Sequence, residues 1–452
     1  MPAGCDRTPH PLATSPQIHP GKHLSSTTPS NPAEPSLPLL AGRNYRCHCG
    51  QPVFFRNSKC LACGTPLGYD CERGLLLPLM PGPRANTWRE WEAGTAPAEP
   101  PPDNTQPPAL EKIPGQESTP GAKQPQVAET GSMNGGDDHD DGVATYKRCL
   151  NLSTPASCNW LIDAQDPADM CRACRLNRTI PDLTNPEQPD NGYLWGLIEL
   201  AKRRLVSSLI LLGLPVASRI SEDTRRGLMF DFLRSPPQGP QVMTGHAGGL
   251  ITINVEEADD ARREQIRHSM REPYRTLLGH FRHEVGHYYW DRLVWDSKWL
   301  EPFRALFGDE RASYAEALKR NYEQGPPADW ALSYISSYAT MHPWEDWAET
   351  WAHYMHVVDS ITTAMGFGLD AEDLEGDIVP FGPDALYAPG DRNAKPFLEL
   401  LNGWLEMTMV LNELARSMGQ PDFYPFVMSR PAVAKLQFVQ MVVNDSRSRP
   451  EL

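Results

Sequence analysis

Residues 277–293 read LLGHFRHEVGHYYWDRL and contain His283, Glu284 and His287 in an H-E-x-x-H array. Residues four apart lie on one face of a helix, so both imidazoles can reach one metal ion from the same side. Glu284 is turned about 100° from His283 around the axis and can reach a water held by that ion. The chemistry this implies is metal-assisted hydrolysis with a carboxylate as general base. Two histidines are not a complete set, because a catalytic zinc takes three protein ligands and keeps one position open. One known pattern puts Gly three residues and a third His six residues after the second His. Here those positions are Trp290 and Leu293, which excludes that pattern.

A later stretch offers the missing ligand. Residues 338–356 read YATMHPWEDWAETWAHYMH. Pro343 suits a first helical turn. Glu345 and Glu349 are four apart and share a face, with Trp344, Trp347, Ala348, Trp351 and Ala352 around them. Two carboxylates on so aromatic a helix repel each other and resist desolvation unless a cation and a ring N–H take them up. One glutamate then binds metal and the other orients a ligand imidazole. Spacing alone allows either assignment. A helix whose acids face water is the plain alternative, and the flanking tryptophans argue against it. His342, His353 and His356 are rival ligands, and His246, in a Gly-rich turn, is a weaker one.

The chain has ten cysteines, eight of them in two groups, leaving Cys5 and Cys71 apart. Cys47, Cys49, Cys60 and Cys63 form two knuckles, each followed by Gly, with Val53-Phe54-Phe55 between them as a strand. A thiolate pair on each knuckle closes a tetrahedral zinc site, a zinc ribbon. So small a module has almost no core without its metal. His48 could replace one thiolate. Cys149, Cys158, Cys171 and Cys174 supply a second set that suits one structural zinc. Clustered C-x-C and C-x-x-C pairs without a secretory signal read as metal ligands rather than disulfides.

These groups must be held by ordered elements. From residue 191, Leu194, Leu197, Ile198, Ala201, Leu205, Leu209 and Leu212 give a helical period, with Lys202, Arg203 and Arg204 opposite as a wet face. Residues 250–255 alternate and are β-branched, which predicts a strand and a candidate cleft edge where an extended peptide could add. Residues 257–272 read as a charged helix. The motif helix is expected from about residue 274 to 293, with an apolar surface broad enough to fix two imidazole rotamers. Residues 393–443 carry further helical periods and no visible chemistry.

Bulk composition bounds the rest. The chain has 452 residues and 45 prolines, and the prolines cluster outside these segments. Residues 1–43 and 81–143 are expected to be disordered, the second as a Pro-rich linker with an acidic cluster at 137–141. The domains expected are a zinc ribbon at 44–80, a second cysteine module at 144–190 and a catalytic domain at 191–452. A net charge of −15 argues against nucleic acid and anionic membrane surfaces as partners. No apolar run reaches the ~20 residues of a membrane span. No secretory signal opens the chain, and an intracellular, cytoplasmic setting is expected.

With these residues set out, a resemblance is clear. HEVGH, then Tyr338, then Glu345-Asp346-Trp347-Ala348-Glu349 resembles the gluzincin metallopeptidases. The Y-x6-E-x2-A-E spacing is similar to that of the lethal factor catalytic domain. The chain resembles more closely the zinc-binding metallopeptidases with an N-terminal zinc ribbon. RCHCGQPVFFRNSKCLACGTPLGY, CNWL, CRACRLNRTIPDL and HPWEDWAETWAHY carry that likeness. Residues 81–143 stand as an insertion. The resemblance implies an α+β, mostly helical gluzincin-like domain with a small sheet, preceded by small zinc-ribbon modules. It implies one catalytic and two structural zinc ions. His283, His287 and Glu345 would bind the catalytic zinc, Glu284 would be general base, Tyr338 would donate to the oxyanion, and Glu349 would orient a ligand. The implied partner is a peptide or protein substrate, cleaved by a zinc-bound water. Two other readings stay open: an interaction protein with an inactive peptidase-like domain, and a protease acting on nucleic-acid-bound proteins.

Overall fold

The computed structural model describes residues 42–92 and 143–448, apart from 237, 271, 273, 370–373 and 375–377. The disorder expected at residues 1–41 and 93–142, and Cys5, lie outside the described residues. Strands β1 (Tyr45–Arg46) and β2 (Pro52–Val53) form a short antiparallel ladder under the first knuckle. Gly50 and Gly64 follow the knuckles at φ +84° and +78°, a backbone region glycine enters without strain.

A five-stranded antiparallel sheet comes next, in the order β3 (Leu67–Asp70), β4 (Leu75–Pro81), β5 (Trp88–Glu90), β6 (Tyr146–Arg148) and β7 (Leu161–Asp163). This corrects the linker expected from residue 81. Trp88–Glu90 pairs with β4 on one side and β6 on the other, with Leu79 opposite Glu90 and Trp88 opposite Tyr146. Three residues are too few to show an alternating pattern, so the strand is invisible locally. Trp88 and Tyr146 cover Leu77, Leu79 and Leu161. The two cysteine modules thus share one sheet.

The second sheet has the order β10 (Gly245–Ala247), β11 (Leu250–Asn254), β9 (Met229–Leu233), β8 (Asn177–Thr179). β10 and β11 form a hairpin through Gly248 and Gly249, both at positive φ. β11 is therefore flanked on both sides, and the edge expected at residues 250–255 belongs to β10 instead.

Eight helices complete the described fold: α1 (Asn191–Leu211), α2 (Asp260–Met270), α3 (Leu277–Tyr289), α4 (Leu300–Phe307), α5 (Tyr314–Gln324), α6 (Pro343–Gly366), α7 (Ala394–Ser417) and α8 (Arg430–Arg447). The architecture is α+β. α3 starts later than the period suggests, at a Thr276 cap that accepts from Gly279 N–H, and widens into a π turn at Trp290–Val294. One continuous core runs from Tyr45 and Tyr69 through Trp160 and Trp195 to Phe281, Trp347 and Val439.

The basic triplet of α1 is not a wet face. Lys202 is fully buried and pairs with Glu199 at 2.8 Å. Arg203 is buried and donates to Ala156 O at 2.9 Å, while Arg204 reaches Asp359 at 3.2 Å. α1 packs on the second cysteine module and on α3, so buried cations there need partners. Arg43, at the end of the stretch expected to be disordered, is also buried and meets Asp359 at 3.0 Å. Among the described residues no helix is long and apolar enough to cross a membrane.

Candidate metal centre

α3 and α6 cross where each carries small residues. A Cβ on Gly286 would lie 3.0 Å from Ala348 Cα and 3.2 Å from Trp351 Cβ, so the H-E-V-G-H glycine sets how close the helices come. Trp347 Nε1 donates to Gly286 O at 2.8 Å and locks the crossing. His283 and His287 project from α3 towards Glu345 in the first turn of α6. Ligand atoms of these three residues lie within 4.8 Å of one another.

The hydrogen bonds define the donor set. His283 Nδ1 donates to Glu349 Oε1 at 2.7 Å, and Ser336 Oγ donates to Glu349 Oε2 at 2.5 Å. With its Nδ1 proton committed to Glu349, His283 can offer Nε2, 3.0 Å from Glu345 Oε2, to a metal ion. That oxygen is buried and has no hydrogen-bond donor. His287 Nε2 lies 3.5 Å from Glu345 Oε1. Two imidazole nitrogens and a carboxylate oxygen converging on one point form a set that fits zinc. The electrostatics agree. Burial opposes charge on His283, yet Glu345 and Glu349 carry its pKa well above the usual imidazole range, so without a metal a proton on Nε2 takes the cation's place. Burial likewise opposes charge on Glu345, and His287 and His283 hold it well below the usual carboxylate range. The cluster calls for a positive charge at its centre.

Two further groups belong to the same stretch of the fold. Glu284 is largely buried, and its carboxylate is engaged by no hydrogen bond or ion pair among the described residues. Tyr338 stands on a short 3₁₀ turn with its ring 5.9 Å from that of His283 and 39% of its surface exposed. Burial and the nearby Glu345 push its phenol far up, so it stays a proton donor.

His342, His353 and His356 are hydrogen-bonded elsewhere, while His246 keeps a buried Nδ1 without a hydrogen-bond partner but joins no metal-ligand cluster among the described residues. His342 caps α6 by accepting from Trp344 N–H at 3.1 Å and donates to Ala312 O at 3.0 Å. His353 bonds to the Tyr424 hydroxyl, and His356 Nδ1 accepts from Arg282 at 2.5 Å. His246 stacks 6.2 Å from His287, but its Nε2 accepts from Gly249 N–H at 2.9 Å.

Both cysteine sets also converge. Cys47, Cys49, Cys60 and Cys63 form one cluster and Cys149, Cys158, Cys171 and Cys174 the other, each with sulfurs within 4.8 Å. All nine described cysteines are free of disulfides. Four thiols so close, the second set wholly buried, match structural zinc. His48 bonds to Thr65 Oγ1 at 2.7 Å and stacks on Trp91. Cys71 joins neither cluster, and burial pushes its thiol up to about 12.

Two site neighbours carry no sequence signal. Tyr314 donates to Glu345 Oε1 at 2.9 Å from the start of α5. Lys435 of α8 pairs with buried Asp346 at 2.6 Å beneath Glu345. Neither belongs to a motif or a local spacing.

Comparison with known proteins fits this geometry. Residues 191–442 match the family described as "Putative zinc-binding metallo-peptidase". The chain belongs to that family. Residues 44–100 and 123–185 of the chain match a zinc-ribbon domain. Uncharacterised proteins of Mycobacterium bovis and of two Mycobacterium tuberculosis strains are each 37% identical over 410 residues, covering 89% of this chain and 96% of the relative. No solved structure matches the chain.

Proposed function

We propose that this family member is a zinc-dependent peptidase of gluzincin type, with residues 191–452 as its catalytic unit and peptides or proteins as substrates. His283, His287 and Glu345 would hold the catalytic ion, and the two four-cysteine sets would hold structural ones. The observation that carries this reading is the facing of His283 Nε2 and Glu345 Oε2 at 3.0 Å while His283 Nδ1 is committed to Glu349. A zinc ion there supplies Lewis acidity to the scissile carbonyl and acidity to a water molecule.

The chain's own residues do the rest. Glu284, with its uncommitted carboxylate, takes the proton of the attacking water and passes it to the leaving amine. Tyr338, kept protonated, donates to the oxygen on which negative charge develops. Glu349 fixes the His283 tautomer, and Ser336 fixes Glu349. Trp344, 4.3 Å from His287, shields one side of the site from water.

Metal counting with turnover tests the proposal. The wild type should hold three zinc equivalents. Glu345→Ala should hold two, and Glu349→Ala should keep three, with one bound more weakly. Glu284→Gln should keep all three and lose cleavage of a mixed peptide library. Undiminished cleavage by Glu284→Gln would sink the assignment.

A further inference from the structure

The segment between α4 and α6 leaves the body of the fold. α5 has only Ala317 buried, and most residues from 309 to 334 are exposed. Gly308 and Gly325 bracket the helix at φ +107° and +69°, where other residues would be strained. So few apolar contacts cannot fix α5, and an element of this kind sits at the low-stability end of a fold. Its position depends on polar anchors. His342 donates to Ala312 O at 3.0 Å, just before the helix. Ser313 caps it by accepting from Glu316 N–H.

The third anchor is Tyr314, the first residue of α5. Its ring packs edge-on to His342 at 5.4 Å, and its hydroxyl donates to Glu345 Oε1 at 2.9 Å. That oxygen is the one nearer His287 Nε2. A phenol at the start of α5 therefore holds the carboxylate assigned to the metal. Exposed apolar packing does not explain this, because Tyr314 keeps 39% of its surface in solvent while its hydroxyl points inward.

We infer that Tyr314 is a positioning residue of the candidate metal centre: it fixes the Glu345 carboxylate, so that metal affinity depends on how α5 is seated. The inference rests on the zinc-peptidase reading above. Removing a hydrogen bond to a ligating group costs about 10–100-fold in metal affinity, the range expected here.

The test uses the full chain, loaded with zinc and titrated with a chelator of known affinity. Tyr314→Phe removes the inward-pointing hydroxyl and leaves the ring. Its weakest zinc equivalent should be released about 10–100-fold more readily than in wild type, with the two cysteine-held equivalents and the unfolding temperature unchanged. Tyr322→Phe, on the same helix, should match wild type. If Tyr314→Phe holds its third zinc as tightly as wild type, the inference is overturned while the peptidase reading stands. If Tyr314→Phe also loosens the cysteine-held zinc, or Tyr322→Phe behaves like it, Tyr314 is only a structural anchor and the inference is again overturned. If wild type holds no third equivalent that Glu345→Ala lacks, the peptidase reading itself fails.

Discussion

Gly286→Ala places a methyl group in the crossing of α3 and α6. It would meet Ala348 Cα at 3.0 Å, Trp351 Cβ at 3.2 Å and Ala348 O at 3.3 Å. These atoms belong to the α6 backbone or its root and cannot rotate away, so the helices must separate by a few tenths of an ångström. Overpacking of this kind costs about 1–3 kcal/mol. Replacing a helical glycine by alanine returns about 1 kcal/mol. The net loss is then about 0–2 kcal/mol, a fall of a few degrees in unfolding temperature. The effect on the site is larger in proportion. His287 follows Gly286 on α3, and Glu345 lies one turn before Ala348 on α6, with 3.5 Å between Nε2 and Oε1. Separating the helices pulls that pair apart and lengthens the Trp347 bond to Gly286 O. The third zinc equivalent should weaken by about tenfold or more, which is about 1.4 kcal/mol. Thermal unfolding and chelator titration on the same preparation read both effects. An unfolding temperature equal to or above wild type, together with unchanged affinity for the third zinc, would refute the claim that this glycine sets the ligand spacing.

Other perturbations probe the frame behind the site. Asp359 lies among Arg43, Arg204 and Arg282 at 3.0, 3.2 and 2.7 Å, and despite burial these guanidiniums hold its carboxyl well below the usual range. Asp359→Asn leaves buried cations uncompensated and should cost about 3–5 kcal/mol by denaturant titration; a loss under about 1 kcal/mol would contradict the buried cluster. Because the folded pKa is depressed, the stability Asp359 contributes is complete above the unfolded value and is lost only as pH falls below it, so Asp359 adds no slope between pH 7 and 5. His353 does add one: burial pushes its pKa down to about 4, against the attraction of Glu349. The unfolded chain takes up a proton near pH 6.5 that the folded chain refuses, so stability should drop by about 2 kcal/mol between pH 7 and 5. Melts at the two values should show a smaller difference in His353→Gln, and equal differences would disprove this origin. Cys158, Cys171 and Cys174 share one core with Trp195 and Leu205 of α1. Stripping the cysteine-held zinc should therefore melt the helices with the cysteine modules in one transition, and retained helical circular dichroism after full removal would count against that coupling.

What could be read from the sequence follows from where the determinants lie. H-E-x-x-H, E-x-x-x-E and the cysteine knuckles are short-range constraints, since the chemistry needs given residue types at fixed offsets on one element. The α1 and α6 periods are also local, because a helix buries a stripe every three or four residues. Lys202, Arg203 and Arg204 were misleading because a basic triplet opposite an apolar stripe looks the same whether water or a second module covers it. Only the distant partners Glu199, Ala156 and Asp359 distinguish the two cases. β5 and the Asp359 cluster are contacts across long sequence gaps, with no period to announce them. Tyr314 is hidden for the same reason, because nothing in YAEALKRNYEQ marks its first residue as one that reaches Glu345.

The choice between Glu345 and Glu349 shows how valence supplies what spacing cannot. The two acids sit one turn apart on α6, and both are within hydrogen-bonding reach of His283. Glu349 has both oxygens committed, one to His283 Nδ1 and one to Ser336 Oγ. Glu345 has one oxygen engaged by Tyr314, while the other is buried, faces a ring nitrogen and lacks a donor. A buried carboxylate oxygen without an aligned donor costs roughly 1–3 kcal/mol or more, so the place between it and His283 Nε2 suits a proton or a metal cation. A metal cation there would take one bond from each. A metal at Glu349 would instead have to displace the bond that sets the His283 tautomer, and so undo the geometry of its own ligand. The accounting of buried hydrogen bonds thus favours Glu345 as the third ligand, with Glu349 as the group that aims the first.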